Sequence, residues 1–224
     1  MKEVRQMARR YELIVFDWDG TLMDSAGVIA QSVQAAACDL GLEPPSDERA
    51  RHIIGLGLVD ALRYALPDLD EGRYEHLAER YRHHYLSRDH ELLLFSGVDA
   101  LMLELAESGR WLGVATGKSR LGLARALEYS GLGSHFHATR CADECHSKPH
   151  PQMLEELMAE FAVAPAATLM IGDTTHDLLM AQNAGVDAVA VSYGAHPREI
   201  LEAAAPRYCA HSVEDLATWL TANA

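Results

Sequence analysis

The chain has 224 residues, 49% of them apolar, enough for one large domain or a domain with an insertion, built on a sizeable core. Its formal net charge of −14 at pH 7 repels polyanions, which excludes nucleic acid and an anionic membrane surface as expected partners. No apolar run approaches transmembrane length and the four cysteines are too scattered for a disulfide framework, so a cytoplasmic protein is expected.

The first ten residues, MKEVRQMARR, are charged and lack the apolar stretch of a signal peptide, and they read as an N-terminal extension. Leu13 to Phe16 comes next as a short apolar run, the pattern of a buried strand, and it leads into Asp17-Trp18-Asp19-Gly20-Thr21. On extended backbone, residues two apart point to one side, so Asp17 and Asp19 face the same reacting group while Trp18 points away. Gly20 lets the chain turn sharply, and Thr21 can cap or hydrogen-bond the residues after it. A calcium loop of the EF-hand type is excluded, because its twelfth position needs a Glu where Val28 stands.

From Asp24 to about Phe95 nothing reads as a buried parallel strand, while helical spacing recurs over Val28 to Leu40, Val59 to Leu66 and Tyr74 to Leu86. This predicts a helical insertion over 24–95, punctuated by Gly41, Pro44-Pro45, Gly55, Gly57, Pro67 and Gly72. The pair His83-His84 reads as a solvated helix surface, since adjacent helical residues do not share a face. Ser96-x-x-Asp99 then reads as a capping box opening a helix that buries Leu101, Met102 and Leu105.

Trp111 to Ala115 is a second buried run and ends in Thr116-Gly117-Lys118; Thr168 to Ile171 is a third and ends in Gly172-Asp173-Thr174-Thr175-His176-Asp177. Apolar strands stopped by reactive polar residues and followed by helices are the pattern of a parallel α/β sheet, whose ligands gather at the strands' carboxyl ends. Between the two runs, Cys141-x-x-x-Cys145-His146, with His137 and His150 near, invites a zinc reading. The spacing matches no structural-zinc signature, and free cysteine is usually a small buried hydrophobe, so no zinc is expected. Ser147-Lys148-Pro149-His150-Pro151 places one lysine against a helix start. Leu154, Leu157, Met158 and Phe161 repeat at helical spacing, Ala188 to Val191 reads as a late strand and Val213 to Leu220 as a final helix.

Four motifs in order, DWDGT, the ATG ending at Gly117, SKPHP around Lys148 and GDTTHD, resemble the haloacid dehalogenase-like hydrolase superfamily, most closely its phosphoglycolate-phosphatase-like members. The resemblance runs from about Leu13 to the C-terminus. It implies a doubly wound, Rossmann-like α/β core over 11–23 and 96–224 with an α-helical cap over 24–95, hinged near 24–27 and 95–97, that shields the site from bulk water. A proline that precedes Gly97 in many relatives is lacking here, which would loosen the second hinge.

By the same resemblance Asp17 is the nucleophile that forms an aspartyl-phosphate, and Asp19 protonates the leaving alkoxide, then deprotonates the attacking water. The dehalogenases proper lack the second aspartate, so its presence points to phosphate esters. Mg²⁺ is the implied cofactor, held by the Asp17 carboxylate, the Asp19 carbonyl and Asp173. Lys148 contacts the phosphoryl oxygens and Asp17, and the Thr116 hydroxyl and Gly117 amide bind a further oxygen. Asp177 has two readings: support for the metal site, or the partner of Thr174 in a capping box.

Substrate choice falls in relatives to a cap loop, here His52 to Leu58, which carries no cation between Ile53 and Asp60. His52, Arg63, Lys118 and Arg120 are candidates to recognise a small carboxylate such as that of phosphoglycolate, although each also reads as a surface residue. The expected activity is therefore magnesium-dependent hydrolysis of a small-molecule phosphate monoester. The alternatives are a phosphosugar mutase of the β-phosphoglucomutase type, weakened by the loop's missing cations, and a non-catalytic binding protein, which would be expected to have lost one of these residues.

Overall fold

The computed structural model describes residues 10–224. The expected extension over residues 1–10 therefore lies outside the described residues except for Arg10, which pairs with Asp187 at 3.1 Å.

Six parallel strands run in the order β3-β2-β1-β4-β5-β6, where β1 is Leu13–Phe16, β2 Trp111–Thr116, β3 Ala138–Cys141, β4 Thr168–Gly172, β5 Asp187–Val191 and β6 Tyr208–Ala210. β1 lies at the centre and is paired on both edges, Phe16 standing opposite Val114 on one side and Ile171 on the other. Its four residues are wholly buried, which is why it reads as an unbroken apolar run. They alternate between two cores. Ile14 and Phe16 face a cluster with Leu101, Met102, Leu123 and Leu216, while Leu13 and Val15 face one with Leu154, Leu157, Leu178 and Leu201. Helices α5 (Val98–Glu107), α6 (Arg120–Ser130) and α10 (Val213–Asn223) supply the first cluster; α7 (Gln152–Phe161), α8 (Thr175–Ala184) and α9 (Arg198–Ala203) supply the second. This is the doubly wound α/β fold that the sequence predicts.

The chain leaves this core after β1 and builds four helices, α1 (Ala26–Asp39), α2 (Asp47–His52), α3 (Leu58–Ala65) and α4 (Tyr74–Ser87), around a separate apolar cluster of Val33, Leu62, Leu77 and their neighbours. The predicted helices match α1, α3 and α4 to within two residues at either end. The short α2 was not predicted; Ser46 caps it by accepting the Arg49 N–H at 3.2 Å. The way in and the way out of this cap run side by side, with Asp24 N–H donating to Leu93 O at 2.9 Å and Phe95 N–H to Leu22 O at 3.0 Å. Phe95 also packs edge-on against Tyr193 of the core.

One capping prediction fails. The residue that caps α5 is Gly97, at φ +93°, and no side chain makes a capping hydrogen bond there, so Ser96 and Asp99 form no capping box. Cys141 is the buried last residue of β3, its thiol pushed up to about 12 by burial, while Cys145 sits 3.8 Å from Glu156. No helix among the described residues is long and apolar enough to cross a membrane.

Candidate active site

The polar residues that end or follow β1, β2 and β4 gather at the carboxyl ends of these inner strands, where the strand order turns about β1. Asp17 continues β1, its N–H bound to Ile171 O at 2.9 Å, and Trp18 turns back into the apolar core as the alternation requires. Gly20 then takes φ +80°, and a side-chain carbon on it would collide with the Asp173 carboxylate. The glycine thus permits both the turn and the approach of β4's carboxylate to β1. Thr21 Oγ1 donates to Asp173 Oδ1 at 2.9 Å, and the Ala195 N–H donates to Oδ2 at 2.7 Å.

Asp17, Asp173 and Asp177 are each fully buried, with carboxylate oxygens within 4.8 Å of one another. One cation stands among them: Lys148 Nζ lies 2.7 Å from Asp17 Oδ1 and 2.7 Å from Asp177 Oδ1. Burial alone would lower the Lys148 pKa, but the two carboxylates outweigh it and raise the pKa. Apart from that ion pair, neither oxygen of Asp17 has a hydrogen-bond partner. Burial, opposed by Lys148 and reinforced by Asp177, pushes the Asp17 carboxyl up to about 7. Asp173 is pushed up as well, by burial first and then by Asp17 and Asp177.

Three carboxylates around one ammonium leave a deficit of positive charge, and the orphaned Asp17 oxygen is an open ligand position. All donors are hard oxygens, and those of Asp173 keep a second lone pair each. The residues therefore fit a hard divalent cation.

Asp177 takes the capping reading and adds an ion pair to it. Its Oδ2 accepts from Thr174 N at 3.1 Å and Thr174 Oγ1 at 2.7 Å, completing a capping box on α8, while Oδ1 holds Lys148.

Asp19 faces the cavity under the cap. Ser25 Oγ donates to its Oδ1 at 2.7 Å, and Lys118 Nζ lies 3.0 Å from the same oxygen. Lys118 also reaches Tyr85 Oη of α4 at 2.8 Å, with its ammonium over the Tyr85 ring. Burial lowers the Lys118 pKa less than Asp19 and Tyr85 raise it. The lysine is a link between core and cap, not the surface residue that the sequence also allowed. The other candidates for a carboxylate are engaged elsewhere. Arg63 pairs with Glu71 on the cap surface, and Arg120 pairs with Glu144 and Thr139.

Thr116 Oγ1 accepts the Lys118 N–H at 3.2 Å, which leaves its own hydrogen free to donate. Gly117 lies directly beneath the cap loop, where a side-chain carbon would collide with the carbonyl oxygens of Gly55 and Leu56. The loop is fastened to the core at three further points: Gly57 N–H to Ser147 Oγ at 2.8 Å, and the His52 carbonyl to His176 Nε2 at 2.7 Å and His196 Nε2 at 3.2 Å. Reading the sequence did not reveal this histidine group, because its members come from α2, α8 and the turn after β5. His196 Nδ1 accepts the Thr175 N–H at 3.1 Å, which puts the proton on Nε2. Burial keeps both imidazoles neutral, holding His196 down to about 4 and lowering His176.

Carboxylates gathered at the ends of parallel strands, beside a buried lysine and under a helical cap, define a capped α/β hydrolase. Residues 14–191 match the model of the haloacid dehalogenase-like hydrolase family, and the chain belongs to that family, in its phosphoglycolate-phosphatase-like branch. It is 39% identical to a Dickeya dadantii protein named probable phosphatase IndB, over 87% of each chain. It is 32% identical to a 5'-nucleotidase of Pseudomonas aeruginosa, over 92% of this chain and 95% of that one. A phosphoglycolate phosphatase of Vibrio parahaemolyticus is 30% identical, over 92% and 94%. Among solved structures, one described as a predicted phosphatase from Clostridium acetobutylicum superimposes with a TM-score of 0.84 at 25% identity, covering 95% of this chain and 99% of that one. The chain is accordingly a phosphate-ester hydrolase.

Proposed function

We propose that this chain hydrolyses a small-molecule phosphate monoester through a phosphoenzyme on Asp17, with Mg²⁺ as cofactor. The observation that carries the reading is the Asp17 carboxylate itself, buried, with Oδ1 2.7 Å from the Lys148 ammonium and Oδ2 without a hydrogen-bond partner. A carboxylate oxygen whose lone pairs are not spent on hydrogen bonds is available to attack phosphorus. Burial favours its protonated form, so the Lys148 ammonium is what this chain supplies to hold it ionised.

Asp17, the Asp19 carbonyl and Asp173 would hold the metal, which supplies charge neutralisation to the phosphoryl oxygens. Asp177 acts on Lys148, keeping its ammonium aimed at Asp17. The Thr116 hydroxyl and the Gly117 amide bind a phosphoryl oxygen. Asp19 exchanges a proton with the leaving oxygen and then with water; its Oδ1 is taken by Ser25 and Lys118, so the other oxygen does this. Residues 11–23 and 96–224 form the catalytic core and 24–95 the cap, and four unpaired cysteines suit a cytoplasmic protein.

A mutase would need a cationic grip on a second phosphate, and with Arg63 and Arg120 paired outward the cap loop supports water as acceptor instead. The test is phosphate release from para-nitrophenyl phosphate with Mg²⁺, together with acid quenching and peptide mass analysis. Expected is a phosphorylated Asp17 peptide, absent from Asp17→Asn. Turnover by a folded Asp17→Asn protein at the wild-type rate would overturn the proposal.

A further inference from the structure

Beside Asp19 the space between cap and core widens into a cavity of about 590 Å³, far larger than phosphorylated glycolate needs and within the range that encloses drug-sized ligands. Its walls are apolar: Ile29 and Val33 from α1, Ile54 and Leu56 from the loop, Leu62 from α3 and the Tyr81–Tyr85 pair from α4, whose rings stack at 5.8 Å. Its one ammonium, Lys118, is paired with Asp19, and the remaining charged groups of the lining, Arg82 and Arg125 with Asp60 and Asp143, are exposed and balance in sign.

A second observation concerns the mouth. Val59, Leu86 and Leu121 line the same cavity, yet they are 50%, 41% and 64% exposed. Large apolar side chains left in water around a cavity mark a place where an apolar body docks.

From these we infer that the preferred substrates are phosphate monoesters whose alcohol carries a ring-bearing apolar body, seated against Tyr81, Tyr85 and the leucines, rather than phosphoglycolate or an open polyol phosphate. This rests on the phosphatase reading above. Polar hydroxyls buried against such walls would lose water without gaining partners, whereas a ring gains by leaving water. Asp19 lies on the cavity wall, so the ester oxygen of a ring seated there meets the group that exchanges its proton.

The test compares ethyl phosphate, 2-phenylethyl phosphate, phosphoglycolate and glycerol 3-phosphate at saturating Mg²⁺. The first two have alcohols of similar acidity, so they differ in the ring alone. Expected is a kcat/KM for 2-phenylethyl phosphate roughly 10- to 100-fold above that for ethyl phosphate, with the two polar esters no better than ethyl. Val59→Asp and Leu121→Asp, both at exposed positions, should reduce that ratio severalfold. Phosphoglycolate or ethyl phosphate hydrolysed as well as the phenylethyl ester would overturn the inference and leave the phosphatase reading standing. No phosphate release from any of the four, nor from para-nitrophenyl phosphate, would overturn both.

Discussion

Lys148 Nζ stands 2.7 Å from Asp177 Oδ1, and solvent reaches neither side chain. Asp177 spends its other oxygen on the start of α8, so one carboxylate ties Lys148, the proposed partner of the Asp17 nucleophile, to a helix cap. Asp177→Asn should retain a capping acceptor for Thr174 while losing the ion pair. The expected outcome is a fall in kcat/KM of roughly 10- to 100-fold, as for other residues that orient a reacting group, with near-native helix content by circular dichroism. Unchanged kinetics would reduce Asp177 to a cap.

Asp17→Asn should abolish turnover and raise stability. The folded-state pKa of Asp17 is raised to about 7, so its ionisation opposes folding increasingly as pH rises from the unfolded value near 3.8. Without divalent cations at pH 8, the variant is expected to gain roughly 1–3 kcal/mol, a few degrees in Tm. A lower Tm than wild type would show that the Lys148 pair outweighs burial.

Asp19→Asn should distinguish leaving groups. Loss of a general acid costs about 10²- to 10⁴-fold for alkyl esters, whose alkoxides need a proton, and much less for para-nitrophenyl phosphate. Equal losses for both would remove the proton-transfer role and leave Asp19 as the partner of Lys118.

Activity should require Mg²⁺ and be suppressed by Ca²⁺, which takes more ligands at longer bonds and would move the Asp17 oxygens. Mg²⁺ should also raise Tm, by offsetting the charge of three buried carboxylates, and the rise should shrink in Asp173→Asn. Full activity after exhaustive chelation would rule out the metal.

The histidine contacts predict acid sensitivity of the closed cap. His196 titrates near 4 when folded and near 6.5 when unfolded, so the unfolded chain takes up the proton first, and stability falls as pH drops through that window. His176 is shifted in the same direction. Between pH 7 and 5, the loss traceable to His196 is on the order of 2 kcal/mol, read as the change in urea midpoint. His196→Asn, which keeps an acceptor for Thr175, should flatten that dependence.

The sequence showed most plainly what is buried on both faces. β1, β2 and β4 are apolar runs because each is covered by helices on either side, and the reactive residues come directly after them. The edge strands β3 and β6 escaped notice: Ala138 to Arg140 are only half covered, and β6 is three residues long. Ser96 and Asp99 had the spacing of a capping box, but Gly97 in a left-handed conformation redirects the chain before a side chain can cap. Lys118 read as a surface residue because its partners, Asp19 and Tyr85, come from other parts of the chain. The histidines around the His52 carbonyl were hidden for the same reason.

The proposed reacting groups end or follow strands β1, β2 and β4, at 17–19, 116–118 and 173–177, with Lys148 in the turn before α7, whereas most of the cavity wall belongs to cap residues between 29 and 86. Asp19, Gly117 and Lys118 are where the two inventories touch. On the proposed assignment, chemistry and selectivity would be inherited through different stretches of the gene, and mutations in the cap would exchange one alcohol for another while Asp17, Lys148 and the central strand are carried forward unaltered. A laboratory library confined to the cap helices and their loop should yield altered ester preferences at a higher frequency than one of equal size spread over the sheet.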